Sequence, residues 1–555
     1  TTGAPARPTR PGFFWPGGGP PPGGRGGGAA AADSADLRRR PEALMRVFTE
    51  AARRQGDLEA GAARIVRRGL ALVDDSFRCS KAVAENFLEL LVAPAASDAL
   101  EHMLQLGLLS AYIPEFEAIG CLVQHDGYHV HTADVHSVAT VGELLLLREG
   151  RYADAEPVLT DLAREQADFG LLALAALLHD VGKGCSEEPH NFRGGRLVEA
   201  IAGRLGVLSA QNTRTLKRLV ELHLLLSEVA ERHDLGDEDT LGRLAAKLKK
   251  NPDFLKMLYI LTFIDSKATG PFSWTTWKSA LMRELYFKLQ AVLEHAEAGG
   301  VSPPAAEADD MARRLESELA PERVAWHMEQ LPTGYLGAVD ADTACRHILL
   351  AEEFSRGGPK VAWSVKTEGR LSTLSLCAYD RPGLLAKAAG LFALHGLSIH
   401  EARVFTRRDN IVVDSFRLSP VLPGMGTPDW AKVMADMTAG LTGKMSLPYR
   451  LARKIRPSVL ERNDLPAVRT EVKISNQLSS LNTVIEVKTR DRVGLLYLLA
   501  EALFELELNI LLARVTTRGH EARDVFFVRD FSGNKIYDAK HMEEIERALV
   551  FALDG

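Results

Sequence analysis

The stretch "LLALAALLHDVGKG" (171–184) places a histidine and an aspartate side by side at the end of an apolar run. The run has the composition of a helix that is buried on all sides. An ionised carboxylate at the end of such a helix is costly unless it is paired or binds a metal ion. His179 and Asp180 therefore predict that polar partners reach them from elsewhere in the chain.

Three other segments with helical periodicity carry such partners. His136 lies one turn inside a helix that the pattern starts at Thr132, and His223 lies on an otherwise apolar helix face. Asp265 stands among apolar residues, with Lys267 as the nearest cation in its segment. For any one of these residues, a helix cap or a pairing with a lysine would be a sufficient explanation.

Taken together, these histidines and aspartates favour a divalent metal site. Neutral imidazole and carboxylate groups suit Mg, Mn, Fe and Zn, and one ion would satisfy several of these side chains at once. Divalent metal sites of this kind support the hydrolysis of phosphate esters. Lys183, which lies between two glycines, would then be placed to contact phosphate as a point charge.

The composition narrows the classes of partner. The 555 residues carry a formal net charge of −6 and a pI near 6.3, so no overall basic surface for nucleic acid is expected. The five cysteines are scattered without a CxxC pair, which fits a reducing cytoplasm and argues against a disulfide framework. No apolar run has the length needed to span a bilayer. We therefore expect a cytoplasmic protein without nucleic-acid or membrane partners.

Changes in composition along the chain divide it into segments. The Gly/Pro-rich opening is predicted to be disordered because it cannot bury enough apolar surface to offset ordering. Helical periodicity follows, and alternating β-branched runs mark the C-terminal third. The predicted segments are a disordered opening (1–40), a helical linker domain (41–124), a metal-binding domain (125–300), a helical linker (301–359) and two α+β modules (360–457 and 470–555).

The C-terminal third contains an internal repeat. "DRPGLLAKAAGLFALHGLSIHEARVF", which begins at Asp380, aligns with "DRVGLLYLLAEALFELELNILLARVT", which begins at Asp491. The same offset relates Arg403 to Arg514. Each copy reads strand, glycine-containing turn, helix, strand, turn, strand and helix, so two modules of one fold are predicted.

The strings "HSVATV" and "LLHDVGKG", together with Asp265, resemble the HD superfamily of metal-dependent phosphohydrolases. The string "LYILTFIDSKATGPFSWTTWK" (258–278) and the repeat resemble, more closely, the bifunctional uridylyltransferase/uridylyl-removing enzymes of the PII nitrogen-signalling protein. This resemblance implies an all-α HD domain whose metal ligands are His136, His179, Asp180 and Asp265. The residues assigned catalytic roles are Lys183, His190 and His223, with the two histidines serving a second metal or the substrate phosphate.

Each copy of the repeat resembles the ACT domain, a ferredoxin-like βαββαβ module that commonly binds amino acids. A glycine at the turn from strand to helix exposes backbone N–H groups that can receive a ligand carboxylate. The residues predicted to contact the effector are Asp380, Gly383 and Ser398 in the first copy, and Asp491, Gly494 and Asn509 in the second. The resemblance implies glutamine as the effector, and the alternative is that both modules only dimerise.

The leading hypothesis is a metal-dependent phosphodiesterase that removes UMP from uridylylated PII and is regulated by glutamine through the ACT domains. The Gly-Ser turn with paired aspartates that marks the family's nucleotidyltransferase domain is not found in this sequence, so uridylyl transfer by this chain is not expected. One alternative is a (p)ppGpp hydrolase-like HD enzyme, because those enzymes also join HD and ACT modules. The other is a non-catalytic amino-acid sensor, which the presence of all four metal-ligand residues disfavours.

Overall fold

The computed structural model describes residues 12–13, 39–58, 60–122, 131–184, 188–270, 273–298, 311–332, 335, 339, 341–357, 360–381, 383–421, 428–454, 468–518 and 520–554. The chain folds as two compact units. The first comprises Thr1–Ser227 and Pro252–Trp274, and the second comprises Glu228–Asn251 and Thr275–Gly555. The predicted metal-binding domain (125–300) is therefore divided between the two units.

The first unit is mainly helical in the part that the structure describes. Short 3-10 helices cover Leu70–Leu72, Pro114–Ile119 and Val181–Lys183. The α-helices that precede the first division of the chain are α1 (Ala43–Arg54), α2 (Ala60–Gly69), α3 (Asp75–Arg78), α4 (Lys81–Leu91), α5 (Ala96–Leu106), α6 (Leu108–Tyr112), α7 (Ala133–Arg148), α8 (Pro157–Glu165), α9 (Phe169–Leu178), α10 (His190–Leu205) and α11 (Ala210–Leu222).

The second unit combines helices with a sheet. Its segments from the middle of the chain contain α12 (Leu225–Arg232), within which the first division falls, α13 (Glu238–Lys247) and α15 (Thr276–Ala298), while α14 (Pro252–Thr269) belongs to the first unit. The later helices are α16 (Pro321–Gln330), α17 (Ala341–Ser355), α18 (Leu384–Leu394), α19 (Trp430–Leu441), α20 (Leu447–Lys454), α21 (Leu495–Glu505) and α22 (Ala539–Asp554). The strands are β1 (Ala362–Glu368), β2 (Leu371–Tyr379), β3 (Leu397–Arg403), β4 (Ile411–Pro420), β5 (Glu471–Ser475), β6 (Thr483–Arg490), β7 (Leu508–Arg518) and β8 (Glu521–Asp530).

Helix α9 is the centre of the first unit. Every residue of α9 except Gly170 is buried, as expected for a helix that is apolar on all faces. Such a helix must be enclosed by neighbours, and α7 packs against both α9 and α14. Helix α7 begins after Thr132, in agreement with the start that the sequence predicts. The polar residues on these three helices are consequently drawn to one place.

The two repeats share one antiparallel sheet. The strand order is β1-β2-β4-β3-β7-β8-β6-β5. The third strand of each repeat, β3 or β7, therefore lies at the centre of the sheet and pairs with its counterpart. There β3 and β7 run antiparallel, with Glu401 opposite Arg514 and Arg403 opposite Leu512. The two modules therefore pair with each other within a single chain. We call this β3–β7 pairing the seam.

The order of elements in each repeat corrects the predicted βαββαβ module. The observed order is ββαββα, because β1 and β5 precede rather than follow the rest of their repeats. β1 pairs beside β2 at the outer edge, and the hairpin between them turns at Gly369, whose φ is +61°. A short hairpin thus fills the edge position that a strand returning from the last helix was expected to fill.

The sheet is covered on both faces over the first repeat. Helices α18, α19, α21 and α22 share one apolar core with residues such as Leu374, Phe416 and Phe526. The opposite face of the first repeat packs against α17 through a second core that includes Ile348 and Val413. This double burial explains why successive residues of β4, rather than alternate ones, are buried along most of the strand.

Three predictions about the chain as a whole have partial outcomes. Gly12–Phe13 pairs in parallel with Asp57–Leu58, so these two residues depart from the disorder expected of residues 1–40, most of which lie outside the described residues. The four described cysteines are free thiols, and Cys185 lies outside the described residues. Among the described residues, no helix has both the length and the apolar character needed to cross a bilayer.

Candidate functional site

The four predicted metal ligands meet in the first unit. His136 lies in α7, His179 and Asp180 directly follow α9, and Asp265 lies in α14. His136 Nε2 is 3.2 Å from His179 Nε2 and 3.0 Å from Asp265 Oδ1. His179 Nε2 is 3.3 Å from Asp180 Oδ2 and 3.4 Å from Asp265 Oδ1. Three helices thus bring two imidazoles and two carboxylates around one point.

Backbone carbonyls orient the imidazole rings of the site. Nδ1 of His179 lies 2.9 Å from the carbonyl oxygen of Ala176, and Nδ1 of His223 lies 2.7 Å from that of Val220. A carbonyl oxygen can only accept, so in the neutral ring the proton is on Nδ1 and the lone pair on Nε2 faces the cluster. This is the tautomer that a metal-binding histidine needs.

A second group of donors surrounds the same aspartate. The donor atoms of Asp180, His190 and His223 lie within 4.8 Å of one another, as do those of His136, His179 and Asp180. Asp180 Oδ1 is 3.6 Å from His190 Nε2 and 3.8 Å from His223 Nε2. Asp180 therefore contributes to both groups, with one oxygen directed toward each.

The charges of the side chains in the site favour a bound cation. Burial by itself would lower the pKa of His179, but the carboxylates of Asp180 and Asp265 outweigh it and raise that pKa to about 10. Burial lowers the pKa of His223 to about 4, so this imidazole is neutral at pH 7. Without a metal ion, a proton held by His179 supplies positive charge between the two carboxylates. Imidazole nitrogens and carboxylate oxygens fit a divalent ion of the Mg, Mn, Fe or Zn class, so this donor set is compatible with the predicted cofactor.

Lys183 belongs to the site through Asp180. Its Nζ lies 2.6 Å from Asp180 Oδ2, and its side chain is mostly buried. The short helix Val181–Lys183 holds the ammonium one turn beyond His179 and Asp180. The structure therefore brings the cation that the sequence analysis predicts to contact phosphate into the same cluster as the predicted metal ligands.

Gly182 permits the close packing of the two donor groups. A Cβ atom at Gly182 would lie 2.0 Å from the carbonyl oxygen of His190 and 2.6 Å from the backbone nitrogen of Gly194. These are backbone atoms at the start of α10, so they cannot move as a flexible side chain would. The glycine after "HDV" is thus required for α10 to present His190 to Asp180.

The two glycine turns of the repeats lie between strand and helix, as the sequence predicts. Gly383 has φ +70° and Gly494 has φ +82°, and each directly precedes the helix of its repeat without a side-chain cap. The first amide of each helix, at Leu384 and Leu495, donates to the carbonyl oxygen of Arg381 and Arg492 respectively, so the later amides of the first turn are the ones that can meet an anion. Asp380 and Asp491 stand just before these turns.

A threonine in each repeat holds the turn aspartate, and sequence reasoning missed both. Thr406 Oγ1 donates to Asp380 Oδ2 at 3.0 Å, and the Thr517 side chain hydrogen-bonds to Asp491. The offset that relates Arg403 to Arg514 also relates Thr406 to Thr517, so the repeat alignment contained the signal. The same aspartate–threonine pair therefore occurs at the glycine turn of both repeats.

Ser398 and Asn509 do not lie beside the glycine turns of their own repeats. Asn509 stands at the start of β7, beyond the C-terminal end of α21, whereas Gly494 precedes the N-terminal end. A helix of 11 residues spans about 16 Å, so the two ends are well separated. Ser398 and Gly383 are separated by α18 in the same way. The single-repeat grouping of these effector residues is therefore not what the structure shows.

The seam places each of these polar residues toward the other repeat. Because β3 and β7 are antiparallel, the start of β7 with Asn509 lies toward the end of β3, after which Thr406 follows. By the same register, the start of β3 with Ser398 lies toward Thr517 at the end of β7. Each end of the seam thus combines the aspartate–threonine turn of one repeat with Ser398 or Asn509 of the other.

Three family models match parts of this chain. One described as "Uridylyltransferase GlnD third domain" matches residues 25–112. One described as "ACT domain" matches residues 372–420. One described as "ACR9-like, ACT-like domain" matches residues 471–553. The two C-terminal matches confirm that both halves of the internal repeat are ACT or ACT-like modules.

Curated relatives align with nearly the whole chain. The bifunctional uridylyltransferase/uridylyl-removing enzyme of Ruegeria pomeroyi is 31% identical over 517 residues, which cover 91% of this chain and 56% of the relative. Those of Azospirillum brasilense and Bradyrhizobium diazoefficiens are each 32% identical, covering 92% and 93% of this chain and 55% of each relative. The chain spans about 55% of the length of these relatives.

Proposed function

Since this chain belongs, over the 91% of its length that aligns, to the family of bifunctional uridylyltransferase/uridylyl-removing enzymes, we propose that it removes UMP from uridylylated PII protein. The bond cleaved would be the phosphodiester between UMP and a tyrosine. The observation that carries this proposal is the convergence of His136, His179, Asp180 and Asp265. The cytoplasm is the proposed location.

We propose that separate residues of the site hold the metal ion and bind the substrate phosphate. A divalent ion, Mg or Mn with Fe or Zn as alternatives, would be held by His136, His179, Asp180 and Asp265. When bound, such an ion acidifies water and polarises a phosphoryl oxygen. The Lys183 ammonium would bind a phosphate oxygen as a point charge.

His190 is the group best placed to accept a proton. Burial lowers its pKa, so the ring is neutral at pH 7, and its Nε2 is buried within the site, 3.6 Å from Asp180 Oδ1. Its Nε2 has no hydrogen-bond partner among the described residues. We propose that His190 Nε2 receives the proton of the attacking water, with His223 supporting the phosphate side of the site.

We expect the purified chain to release UMP from uridylylated PII only when a divalent ion is present. EDTA should abolish release, and added Mn or Mg should restore it, because the histidine and aspartate ligands alone lack a Lewis acid. UMP release is measured by chromatography, and hydrolysis of (p)ppGpp is measured in a parallel assay. Hydrolysis of (p)ppGpp without UMP release would favour the alternative HD enzyme, and metal binding without hydrolysis of either would favour the non-catalytic sensor.

We further propose that glutamine binds the ACT pair and raises the rate of UMP release. The matches to ACT models, the two uncapped glycine turns and the recurring aspartate–threonine pairs support this proposal. The α-carboxylate would meet the amides of a helix N-terminus, and the α-ammonium would meet Asp380 or Asp491. Association of two chains through their ACT pairs also remains a proposal.

The seam register predicts that Asn509 cooperates with Asp380 rather than with Asp491. In calorimetry on the full chain, Asn509→Ala should weaken glutamine binding, and its coupling energy with Asp380→Ala should exceed that with Asp491→Ala, typically by about 0.5–3 kcal/mol for residues that share a ligand. The exposed Asn534, in a loop of the second repeat, supplies the control Asn534→Ala. Stronger coupling of Asn509 to Asp491 would show that each repeat binds glutamine by itself.

A further inference from the structure

A cluster of buried charges lies at the seam between the two repeats. Glu401, Arg403 and Arg514 of the seam strands are each no more than 5% exposed. Buried charges persist only when they are paired and hydrogen-bonded, and separating such a pair is strongly destabilising. The seam cluster is defined here as Asp234, Glu284, Glu401, Arg403, Arg417 and Arg514, all of which belong to the second unit.

Arg514 joins β7 to the chain segment at the end of α12. Its Nη1 donates to the carbonyl oxygen of Ala230 at 2.7 Å and also to that of His233. Its Nε donates to Glu401 Oε2 of β3 at 3.4 Å. The guanidinium thus satisfies the free carbonyls at the end of a helix while it bridges the two repeats.

Arg403 joins β3 to the same segment and to α15. Its Nε donates to Glu401 Oε1 at 2.9 Å, and its other nitrogens lie 3.6 Å from Glu284 Oε1 and 3.8 Å from Asp234 Oδ1. Arg417 of β4 donates to Glu284 Oε2 at 3.2 Å. Burial opposes ionisation of Glu284, but the neighbouring cations outweigh it and hold its pKa below the usual range.

The two segments held by the seam cluster are also tied to each other. Lys288 Nζ donates to the carbonyl oxygen of Leu235 at 3.1 Å, and Lys278 Nζ lies 3.7 Å from Glu231. In chain order, the segment 228–237 begins five residues after His223, and the segment 276–288 follows α14, which carries Asp265. Both segments therefore lie close in sequence to residues of the proposed metal site.

We propose that the seam cluster transmits the state of the ACT pair to the segments 228–237 and 276–288, with Arg403 and Arg514 as positioning residues. This inference rests on the proposed glutamine regulation. A ligand that changes the pairing of β3 with β7 acts where Glu401 faces Arg514, and a buried ion network responds by switching partners rather than by stretching. Because Arg403 lies near acidic residues of both segments, and Lys278 and Lys288 join the segments to each other, they would shift together.

Hydrogen exchange on the full chain with and without glutamine tests this proposal. In the unmodified protein, glutamine should change exchange at the glycine turns and in both segments. In Arg514→Met, the change at the turns should remain and the change in both segments should disappear, because the donor to Ala230 and His233 is lost. Arg514→Lys, which keeps the charge but not the planar fork, should give the same result with less risk to folding. Arg523→Met removes an exposed arginine of β8 that pairs with Glu521, and it should behave as the unmodified protein.

The outcomes separate this inference from the proposed hydrolysis. Glutamine activation of UMP release, about 5–150-fold for typical coupled sites, should fall to about onefold in Arg514→Lys while glutamine-free release persists. The inference is overturned if both segments still respond in Arg514→Met and Arg514→Lys, or if glutamine alters the turns of the unmodified protein and neither segment. Absence of any glutamine effect in the ACT pair would also overturn it. Absence of UMP release with metal bound would instead overturn the proposed hydrolysis, and the exchange data would still decide the inference.

Discussion

Asp180→Ala should abolish UMP release and remove most metal binding, while the helical unit stays folded. Asp180 contributes to both groups of donors, through Oδ2 toward His179 and Oδ1 toward His190. Without Asp180, each group keeps its two imidazoles but loses the carboxylate that the two groups share. Even removal of an outer-shell partner typically costs about 10–100-fold in metal affinity or activity, so loss of a shared ligand should cost more.

The fold should tolerate this change because apolar packing holds the site's helices. Leu172, Leu174 and Leu177 of α9 are fully buried and independent of the carboxylate. Metal content after gel filtration and the rate of UMP release are the two measurements. Asp161→Ala, which removes a largely exposed aspartate of α8 in the same unit, is the matched control and should keep both. Full metal content with unchanged turnover in Asp180→Ala would show that the metal centre is misassigned.

Gly182→Ala should have the second-largest effect, by displacing the start of α10. The added methyl group would overlap the carbonyl oxygen of His190 and press on the backbone of Gly194. Overpacking of this kind typically costs about 1–3 kcal/mol of stability. We expect a sharp loss of UMP release, because His190 would move away from Asp180 even though Asp180 and His179 remain.

Gly203→Ala supplies the matched control on the same helix. A Cβ atom at Gly203 would meet nothing within 4 Å, so this substitution should stabilise α10 by roughly 0.5–1 kcal/mol and leave UMP release unchanged. Chemical denaturation measures the stability of both variants. Unaltered stability and activity in Gly182→Ala would mean that the contact between the "HDVGK" turn and α10 does not set the position of His190.

The convergence of His136, His179, Asp180 and Asp265 could be predicted from sequence because its signal is local. A histidine or aspartate inside an apolar run is rare enough to demand a partner, and four such residues on or next to three helices leave few ways to satisfy them. The start of α7 after Thr132 and the place of the glycine turns before α18 and α21 were predictable for the same reason. Each depends on a change of pattern within a few neighbouring residues.

The repeat was also a property of sequence alone, since it requires only that the chain be compared with itself. The order of strands in each module was not. β1 takes the edge position beside β2 that was expected of a strand following the last helix. The alternating pattern of a strand does not say whether it pairs with the strand next to it in sequence, as β1 does with β2, or with a more distant strand.

What only the tertiary structure decided is which distant residues meet. The antiparallel seam sets Asn509 toward Thr406 and gathers Glu401, Arg403 and Arg514 against the segments after His223 and Asp265. These contacts join residues more than a hundred positions apart, and strand register, rather than residue type, selects them. The sequence by itself therefore determined which side chains are available for chemistry, because that depends on residue type and local pattern. The tertiary structure determined the partners in that chemistry, because long-range pairing of helices and strands brings them together.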